Sequence, residues 1–490
     1  MPKKTAPSPA ATALPVPTPL AGPNQPVDWL FAFKFNSASF PGCDDGQSPP
    51  VGTPGIFGGT SQAYPYGHSQ QYVYATSASP ALAKGAGCLG ATLTDPLGAT
   101  FAQLYNNPGY HYVVWNDQFY NAPLATQFSP WGHSKGMVYW DDNGDGMVLQ
   151  VSTPSWPASG SKAFPRQNDG NTLGCIRDDD VMVSQHFFAL KLRGGDLATV
   201  LQGLVNSSVV TDPTIPSIVQ NGGPAPIQKL VAQLQRTAPS ASTTCLVSKL
   251  STGVQLISKP SHLAAPPWQL VSSQLGGAPL RTATWWALPK IYSTTATTPL
   301  PGWPASLPKP GPVAIATTGT WAGKSLGLQG GLGKQYNHAK IGVSTDPKKP
   351  LSIFGDLNQQ GAIGPGYAYP GQPANDSQCG RGGTFYVVNN AKLCASLAAL
   401  LAGETAPTSG PNGGGGKPGG KPGANPSATP ASTPAAVPTV KTAPKPAAKP
   451  KAKLPAKPAT KPAAKRTAKP AAKPVAKPAA KSAKTKRKPA

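Results

Sequence analysis

Residues 131–152 read WGHSKGMVYWDDNGDGMVLQVS. Two runs of aliphatic and aromatic residues, 136–140 and 147–152, flank DDNGDG, a Gly-, Asn- and Asp-rich turn of the kind that closes a β-hairpin. The chain enters the first run through Gly132-His133-Ser134-Lys135-Gly136. In extended backbone, residues i and i+2 point to the same face, so His133 and Lys135 can address one group together. The device recurs further along: Tyr336-Asn337-His338-Ala339-Lys340 leads into IGVS at 341–344. Both pairs carry a small residue between His and Lys, and both run into an apolar strand.

The surrounding elements follow from pattern. VDWLFAFKF (27–35), QYVYAT near 71, YHYVVW (110–115), LSIFG (351–355) and GTFYVV (383–388) read as strands. Asp95-Pro96 before LGATFAQLYN reads as an N-capped helix with Pro in its first turn. DLATVLQGLV (196–205) and PIQKLVAQLQR (226–236) read as helices, and AKLCASLAALLAG as a closing helix stopped by Gly403. Residues 40–68 read as loop, and short strands between Pro/Gly loops run from Cys245 to about 335. Strands and helices interleave, so the expected class is α/β (mixed α+β), and all-α and all-β folds are excluded. The body has no run of 18 apolar residues, which argues against a spanning helix.

The charge is unevenly placed. Residues 405–490 hold 19 of the chain's 43 Lys and Arg and none of its 18 Asp and Glu, so most of the formal +25 belongs to this tail. Its KPAAK and AKPAAKP quasi-repeats offer almost nothing to bury, and Pro at this density blocks long helices; disorder is expected, with a Gly-Pro hinge near 409–424. The composition resembles a linker-histone tail, which suits either plain solvation or non-specific binding to DNA through counterion exchange. Residues 1–24, rich in Pro and Ala, are likewise expected to be disordered, and Pro interrupts what would be a signal-peptide core. With neither a standard signal nor a span, the expectation is a cytoplasmic protein or one exported by another route. The cysteines, Cys43, Cys88, Cys175, Cys245, Cys379 and Cys394, form no CxxC and fit no zinc spacing; their even number permits disulfides, and scattered buried thiols fit equally.

Two His-x-Lys pairs suit one chemistry. A phosphodiester is cleaved without metal when one imidazole attacks phosphorus, a second protonates the leaving oxygen and cations balance the remaining oxygens. His133 and His338 would supply the first two functions, Lys135 and Lys340 the third; a single pair would be incomplete. Asp141-Asp142-Asn143-Gly144-Asp145-Gly146 resembles the start of a calcium loop, but Ser152 stands where the bidentate Glu belongs, so it is read as a hairpin turn. Trp285-Trp286 suits either base stacking or the core.

An ordered set of segments resembles the DNase II family. Gln25-Pro26-Val27-Asp28-Trp29 is similar to the family's opening strand, and Trp115-Asn116-Asp117-Gln118 to its Tyr-Asn-Asp-Gln. The stretch from Gly132 to Gly136 with Asp141 after it is similar to Gly-His-Thr-Lys-Gly and its following Asp. Ser152-Thr153-Pro154-Ser155-Trp156-Pro157, Gly174-Cys175, Ser184-Gln185-His186-Phe187, Asn337-His338-Ala339-Lys340, Gly355-Asp356-Leu357-Asn358 and Arg381-Gly382-Gly383-Thr384 continue the set. The resemblance runs from about 24 to 400. The departures are Val151, where the family commonly has His; Asn337, in place of Asp; Ile341-Gly342, in place of Trp-Cys; insertions at about 36–70 and 361–380; and the tail.

The resemblance implies two pseudo-symmetric phospholipase D-like halves, here 25–240 and 241–404, each a β-sheet flanked by helices and each giving one His-x-Lys to a shared site. It implies a metal-independent endonuclease without cofactor, hydrolysing DNA at acidic pH through a phosphohistidine to 3′-phosphate ends. By the analogy one histidine attacks and the other is the acid; His133 is taken as the nucleophile and His338 as the acid, an assignment that the pseudo-symmetry leaves open in the sequence. Asn358 and Ser152 would hold phosphate or orient a histidine, with Asn116, Asp356 and Asp141 as further supporting residues. Free histidine titrates near 6.5, and a pair that needs one neutral and one protonated ring is a coupled system sensitive to bound phosphate. Two other functions fit the sequence: a lipid phosphodiesterase using the same histidines, and a non-enzymatic DNA-binding protein relying on its tail.

Overall fold

The computed structural model describes residues 15–43, 71–90, 94–107, 109–119, 129–154, 182–216, 218–234, 239–331, 333–361 and 378–408. All lie in Met1–Gly415, the first of two units, with Gly416–Ala490 the second. Residues 1–14, most of the 40–68 loop, Trp156, Cys175, most of the 361–380 insertion and the tail from 409 fall outside the described residues.

The fold is mixed α/β, built on two large sheets. The first contains β1 (Trp29–Lys34), β2 (Tyr72–Thr76), β3 (Ala83–Lys84), β4 (His111–Asn116), β5 (Lys135–Trp140), β6 (Gly146–Val151), β7 (Gln185–Leu192) and β8 (Val219–Gln220). Their order is β3-β2-β1-β7-β6-β5-β4-β8. Helices α1 (Pro96–Asn106), α2 (Asp196–Asn206) and α3 (Ala225–Gln233) belong to the same stretch of chain. Further on come β9 (Leu246–Lys249), β10 (Gln255–Lys259), α4 (Pro267–Gln274), β11 (Leu280–Ala283), β12 (Val313–Ile315) and the small hairpin β13 (Thr318–Trp321) and β14 (Lys324–Gly327). The last elements are β15 (Ile341–Ser344), β16 (Leu351–Gly355), β17 (Gly383–Asn389) and α5 (Ala391–Leu400). The second sheet runs β12-β11-β15-β16-β17-β10-β9.

Local chemistry accounts for several of these elements. The Asp95 carboxylate accepts from the Leu97 and Gly98 N–H groups, so α1 is capped as its sequence predicts. The β5–β6 hairpin pairs Gly136 with Gln150 and Trp140 with Gly146, and the Asp141 carboxylate closes its turn by accepting from the Asn143 and Asp145 N–H groups. Gly136 has to be glycine: a Cβ there would lie 2.4 Å from the Leu149 carbonyl oxygen and 2.5 Å from the Trp115 ring.

Pattern reading misses β7 and α4. QHFFALKL in β7 is buried on both faces and shows no alternation, as expected of a central strand. Pro267 to Ser273 in α4 are all buried, including the polar Gln269, Ser272 and Ser273 at i, i+3 and i+4, so the helix's polar side marks no solvent face. The closing helix ends at Leu400, capped at Leu401, and Gly403 lies beyond it against Thr318. The chain then continues as a paired segment: the Ala406 N–H donates to Ile315, and Thr405 and Thr408 bridge to Ala316 and Ser293. At the other end Pro15–Leu20 lies along α1, with Gln103 and Thr18 bonded to each other and Pro15 accepting from Tyr110. Cys43 and Cys88 form a disulfide, and Cys245 and Cys394 are free thiols.

One core joins the sheets. Phe354 stacks on Phe31 at 4.5 Å and on Phe188 at 4.6 Å, and Tyr386 tilts against Phe188. Along β17 the side chains alternate: Tyr386 and Val388 enter this shared core, while Phe385 and Val387 face a second cluster with Trp268 of α4. Among the described residues no helix is long and apolar enough to cross a membrane.

Candidate active site

The two His-x-Lys segments meet, and each is held by the other sheet's strands. The His133 N–H donates to the Gly382 carbonyl, just before β17, at 2.9 Å. The His338 N–H donates to the Ser184 carbonyl, just before β7, at 2.8 Å. The rings are steadied across the same join. His133 Nδ1 lies 3.0 Å from the Asp356 carbonyl oxygen, an acceptor, which places the ring proton on Nδ1 and leaves a lone pair on Nε2. His338 Nδ1 faces the Gln185 side-chain nitrogen at 3.3 Å, and Gln185 Oε1 accepts from the Ser152 hydroxyl. With Nδ1 accepting, neutral His338 carries its proton on Nε2, which is buried and without a hydrogen-bond partner among the described residues.

Lys135 Nζ sits 3.5 Å from His133 Nε2 and 2.6 Å from Asp117 Oδ1. Asp117 Oδ2 accepts from Arg381 at 2.7 Å, and Arg381 also donates to the Gly132 and Trp131 carbonyls, fixing the segment before His133. All three ionised groups are buried. Burial alone would raise the Asp117 carboxyl; Lys135 and Arg381 more than offset that and hold it below its ordinary value. Three cations, Lys135, Arg381 and Lys340, act on His133, and the first two share the single carboxylate Asp117, so the site carries positive charge suited to an anion.

Both histidines titrate well below 6.5. Burial is the first cause at each; His133 also feels Lys135, Arg381 and Lys340, and His338 feels Lys340, Lys135 and Lys34. Each ring lies within electrostatic reach of the other pair's lysine, in keeping with the cross-sheet hydrogen bonds that hold both segments. A third imidazole, His186 on β7, accepts from the Lys340 N–H through Nδ1 at 3.2 Å and is also depressed, by burial and then by Lys340. Val151, where the resemblance leads one to expect histidine, is buried in β6 and pairs with Phe187; the next residue, Ser152, therefore lies opposite His186.

The other candidate residues divide. Ser152 belongs to the site through Gln185. Asp356 contributes its carbonyl to His133, while its carboxylate accepts from the Thr384 N–H and hydroxyl, both at 2.7 Å, and burial pushes it up to about 6. Asn358 lies two residues on, its Nδ2 donating to Gln360 and its Oδ1 buried without a hydrogen-bond partner among the described residues. Asn116 caps the turn after β4 by accepting from the Gln118 N–H, and its neighbour Asp117 is the residue that reaches Lys135. Asp141 is not in this cluster: it closes the turn at the opposite end of β5 from His133. Asp117, Gln185, His186 and Arg381 are the residues that motif reading passed over, although each lies inside a segment that carries the family resemblance. Two further buried lysines are also missed: Lys34 donates to the Val183 carbonyl at 2.6 Å, and Lys259, pushed down to about 8 by burial, donates to the Arg381 carbonyl at 2.8 Å.

The fold and site define a mixed α/β protein with two buried-lysine, histidine-bearing segments converging on an anion site. The chain matches the family model for deoxyribonuclease II over residues 57–364, well over half its length, and it belongs to that family. It is accordingly a hydrolase of the deoxyribonuclease class. No curated protein matches it.

Proposed function

We propose that the chain is a metal-independent, acid-acting endonuclease in which two pseudo-symmetric, phospholipase D-like halves, about residues 25–240 and 241–404, each contribute one His-x-Lys pair. The observation that carries this reading is the reciprocal clamp, His133 on Gly382 and His338 on Ser184. Three correspondences support the symmetry. The antiparallel strand order β1-β7-β6-β5-β4 repeats as β10-β17-β16-β15-β11. Lys34 and Lys259 end β1 and β10, and each donates to the carbonyl two residues before β7 or β17. Ser152 and Asp356 directly follow β6 and β16, and each accepts from the N–H of the second residue of the neighbouring strand, His186 or Thr384.

His133 is the nucleophile in this reading, because its Nε2 carries the lone pair. Nε2 attacks phosphorus, the bond from phosphorus to the 5′ oxygen breaks, and protonated His338 gives its Nε2 proton to that oxygen. Water, deprotonated by His338, then breaks the phosphorus–nitrogen bond and leaves a 3′-phosphate. Lys135 and Lys340 balance charge on the non-bridging oxygens, and Asn358 offers the phosphate a polar contact. Protonated His338 needs an acceptor at Nδ1. A turn of the Gln185 amide brings Oε1 there, while the Ser152 hydroxyl redirects to the His186 carbonyl at 3.4 Å. Because burial and the lysines depress both rings, loading that one proton requires acid, and acidic pH also neutralises Asp356.

The test is nicking of supercoiled plasmid in EDTA across about pH 4 to 8, beside His133→Ala and His338→Ala. Nicking that rises towards acid and disappears in both variants is expected, with phosphate trapped on histidine after acid quench. Undiminished cleavage by either variant overturns the two-histidine mechanism.

A further inference from the structure

The sequence pair Trp285-Trp286 splits its roles. Trp286 is buried in the core with α4, and its indole N–H donates to the Ile291 carbonyl at 2.8 Å. Trp285 is half-buried and stands edge-on to His338, ring centroids 4.2 Å apart. One side of its indole rests on Gly330, where a Cβ would come within 2.7 Å of the ring, so that position must stay glycine for the indole to sit there. The indole N–H of Trp285 donates to no group among the described residues.

The segment that follows is bolted to the strip just after Asn358. The Leu288 carbonyl accepts from the Gln360 side chain at 2.9 Å, the Gly361 N–H donates to Pro289, and Lys290 bridges to Gln360. Gln360 also accepts from Asn358, so the segment is tied directly to a residue of the proposed phosphate site. The Lys290 ammonium lies 4.0 Å from the Trp286 ring centroid, and Tyr292 packs edge-on against the same ring. This fastened loop displays Leu288, 78% exposed and the most exposed large apolar side chain among the described residues, with Tyr292 at 40%. A firmly held apolar tip beside an anion site, flanked by a half-open indole, does not serve the protein's own core.

We propose that Trp285 and Leu288 form a base-binding subsite, which takes the nucleobase next to the scissile phosphate when that base is out of the helical stack. The base packs on the open part of the indole and against Leu288, while Lys290 adds positive charge near the adjoining phosphate. Stacking on aromatic side chains tolerates every base, and apolar wedges are a known way to unstack DNA. The inference rests on the two-histidine reading, because it places the scissile phosphate at His338.

The experiment compares a short oligothymidylate with a strand of equal length in which abasic tetrahydrofuran units replace alternate nucleotides, using the full chain. In Trp285→Ala and Leu288→Ser the ratio of kcat/KM for the base-bearing strand over the abasic strand is expected to fall about tenfold or more, through KM, while Trp285→Phe keeps most of it. Leu288→Ser guards against a folding artefact, because that side chain is largely in solvent. An unchanged ratio in Leu288→Ser and Trp285→Ala overturns the subsite. His338→Ala keeps the two questions apart: if it still cleaves both strands, the underlying mechanism fails; if it cleaves neither and the ratio is unmoved, only the subsite fails.

Discussion

Gln185→Glu places a carboxylate where the amide now faces His338 Nδ1 at 3.3 Å. The side chains are nearly the same shape, and the Ser152 hydroxyl still has an oxygen to donate to. The change is therefore electrostatic. His338 is depressed by burial, Lys340, Lys135 and Lys34, with no carboxylate among the causes. A facing anion at this distance stabilises the imidazolium, and such pairs shift a titration by about 1–3 units, or roughly 1.4–4 kcal/mol. If His338 is the acid, it must be protonated in the active form, so its titration sets the alkaline limb of kcat/KM. That limb should move up by about 1–3 pH units, carrying nuclease activity towards neutrality, while the acid limb, set by His133, moves little. The assay is a pH profile of kcat/KM for plasmid nicking in EDTA, beside a thermal melt to show that the variant is folded. A folded variant whose alkaline limb stays in place or moves to lower pH would refute both the assignment of His338 as acid and the role of Gln185.

Removing Asp117 leaves Lys135 and Arg381 buried without their shared anion, so Asp117→Ala should cost about 3–5 kcal/mol in urea unfolding; a loss below about 1 kcal/mol would mean the cluster relaxes to water. His133, His186 and His338 all titrate lower in the folded chain than in the unfolded one, where histidine lies near 6.5. Below that pH the unfolded state binds more protons, so these groups make stability fall as pH falls, while Asp356, raised to about 6, contributes in the opposite sense between about 6 and 4. His186→Gln should accordingly flatten the loss of stability below about pH 6.5, and an unchanged slope in urea melts at stepped pH would show that His186 is not held neutral. Deleting residues 409–490 removes 19 basic residues and spares the Thr405–Thr408 pairing. The salt dependence of DNA binding should become shallower while kcat at saturating DNA stays within about twofold; an equal slope would mean the tail does not touch DNA.

Much of the fold was legible wherever one face of an element meets solvent or a cap is explicit. The β5–β6 hairpin and the Asp95-capped α1 announce themselves through turn residues and capping chemistry. β7 and α4 did not, because they are buried all round and burial on every side erases the pattern that reading depends on. The site divides along the same line. His133, Lys135, His338 and Lys340 are visible as repeated local motifs. Asp117, Gln185 and Arg381 act across 18, 153 and 264 residues of chain separation, and no local spacing encodes such partners. Asp141 shows the converse: the family resemblance suggested a supporting role at the histidine, but six residues of extended strand carry it to the far end of β5, where it closes the hairpin turn.

Two similar motifs need not do similar work, and the surroundings of the two rings explain how they come to differ. His133 meets a backbone carbonyl, an acceptor that cannot turn into a donor, so its Nδ1 keeps a proton and its Nε2 keeps a lone pair. His338 meets a side-chain amide, which presents either oxygen or nitrogen and so accommodates both the neutral and the protonated ring. A fixed partner suits a nucleophile, whose tautomer must not change before attack. A reversible partner suits a group that gives up a proton in one step and regains it in the next. The asymmetry comes from which position supplies the partner: His133 takes the main chain of Asp356, the residue that follows β16 as Ser152 follows β6, whereas His338 takes the side chain of Gln185, which opens β7 where Gly383, with no side chain to offer, opens β17. In the proposed mechanism the fold thus separates acid from nucleophile without altering either His-x-Lys motif, because each motif takes its ring partner from across the join between the sheets.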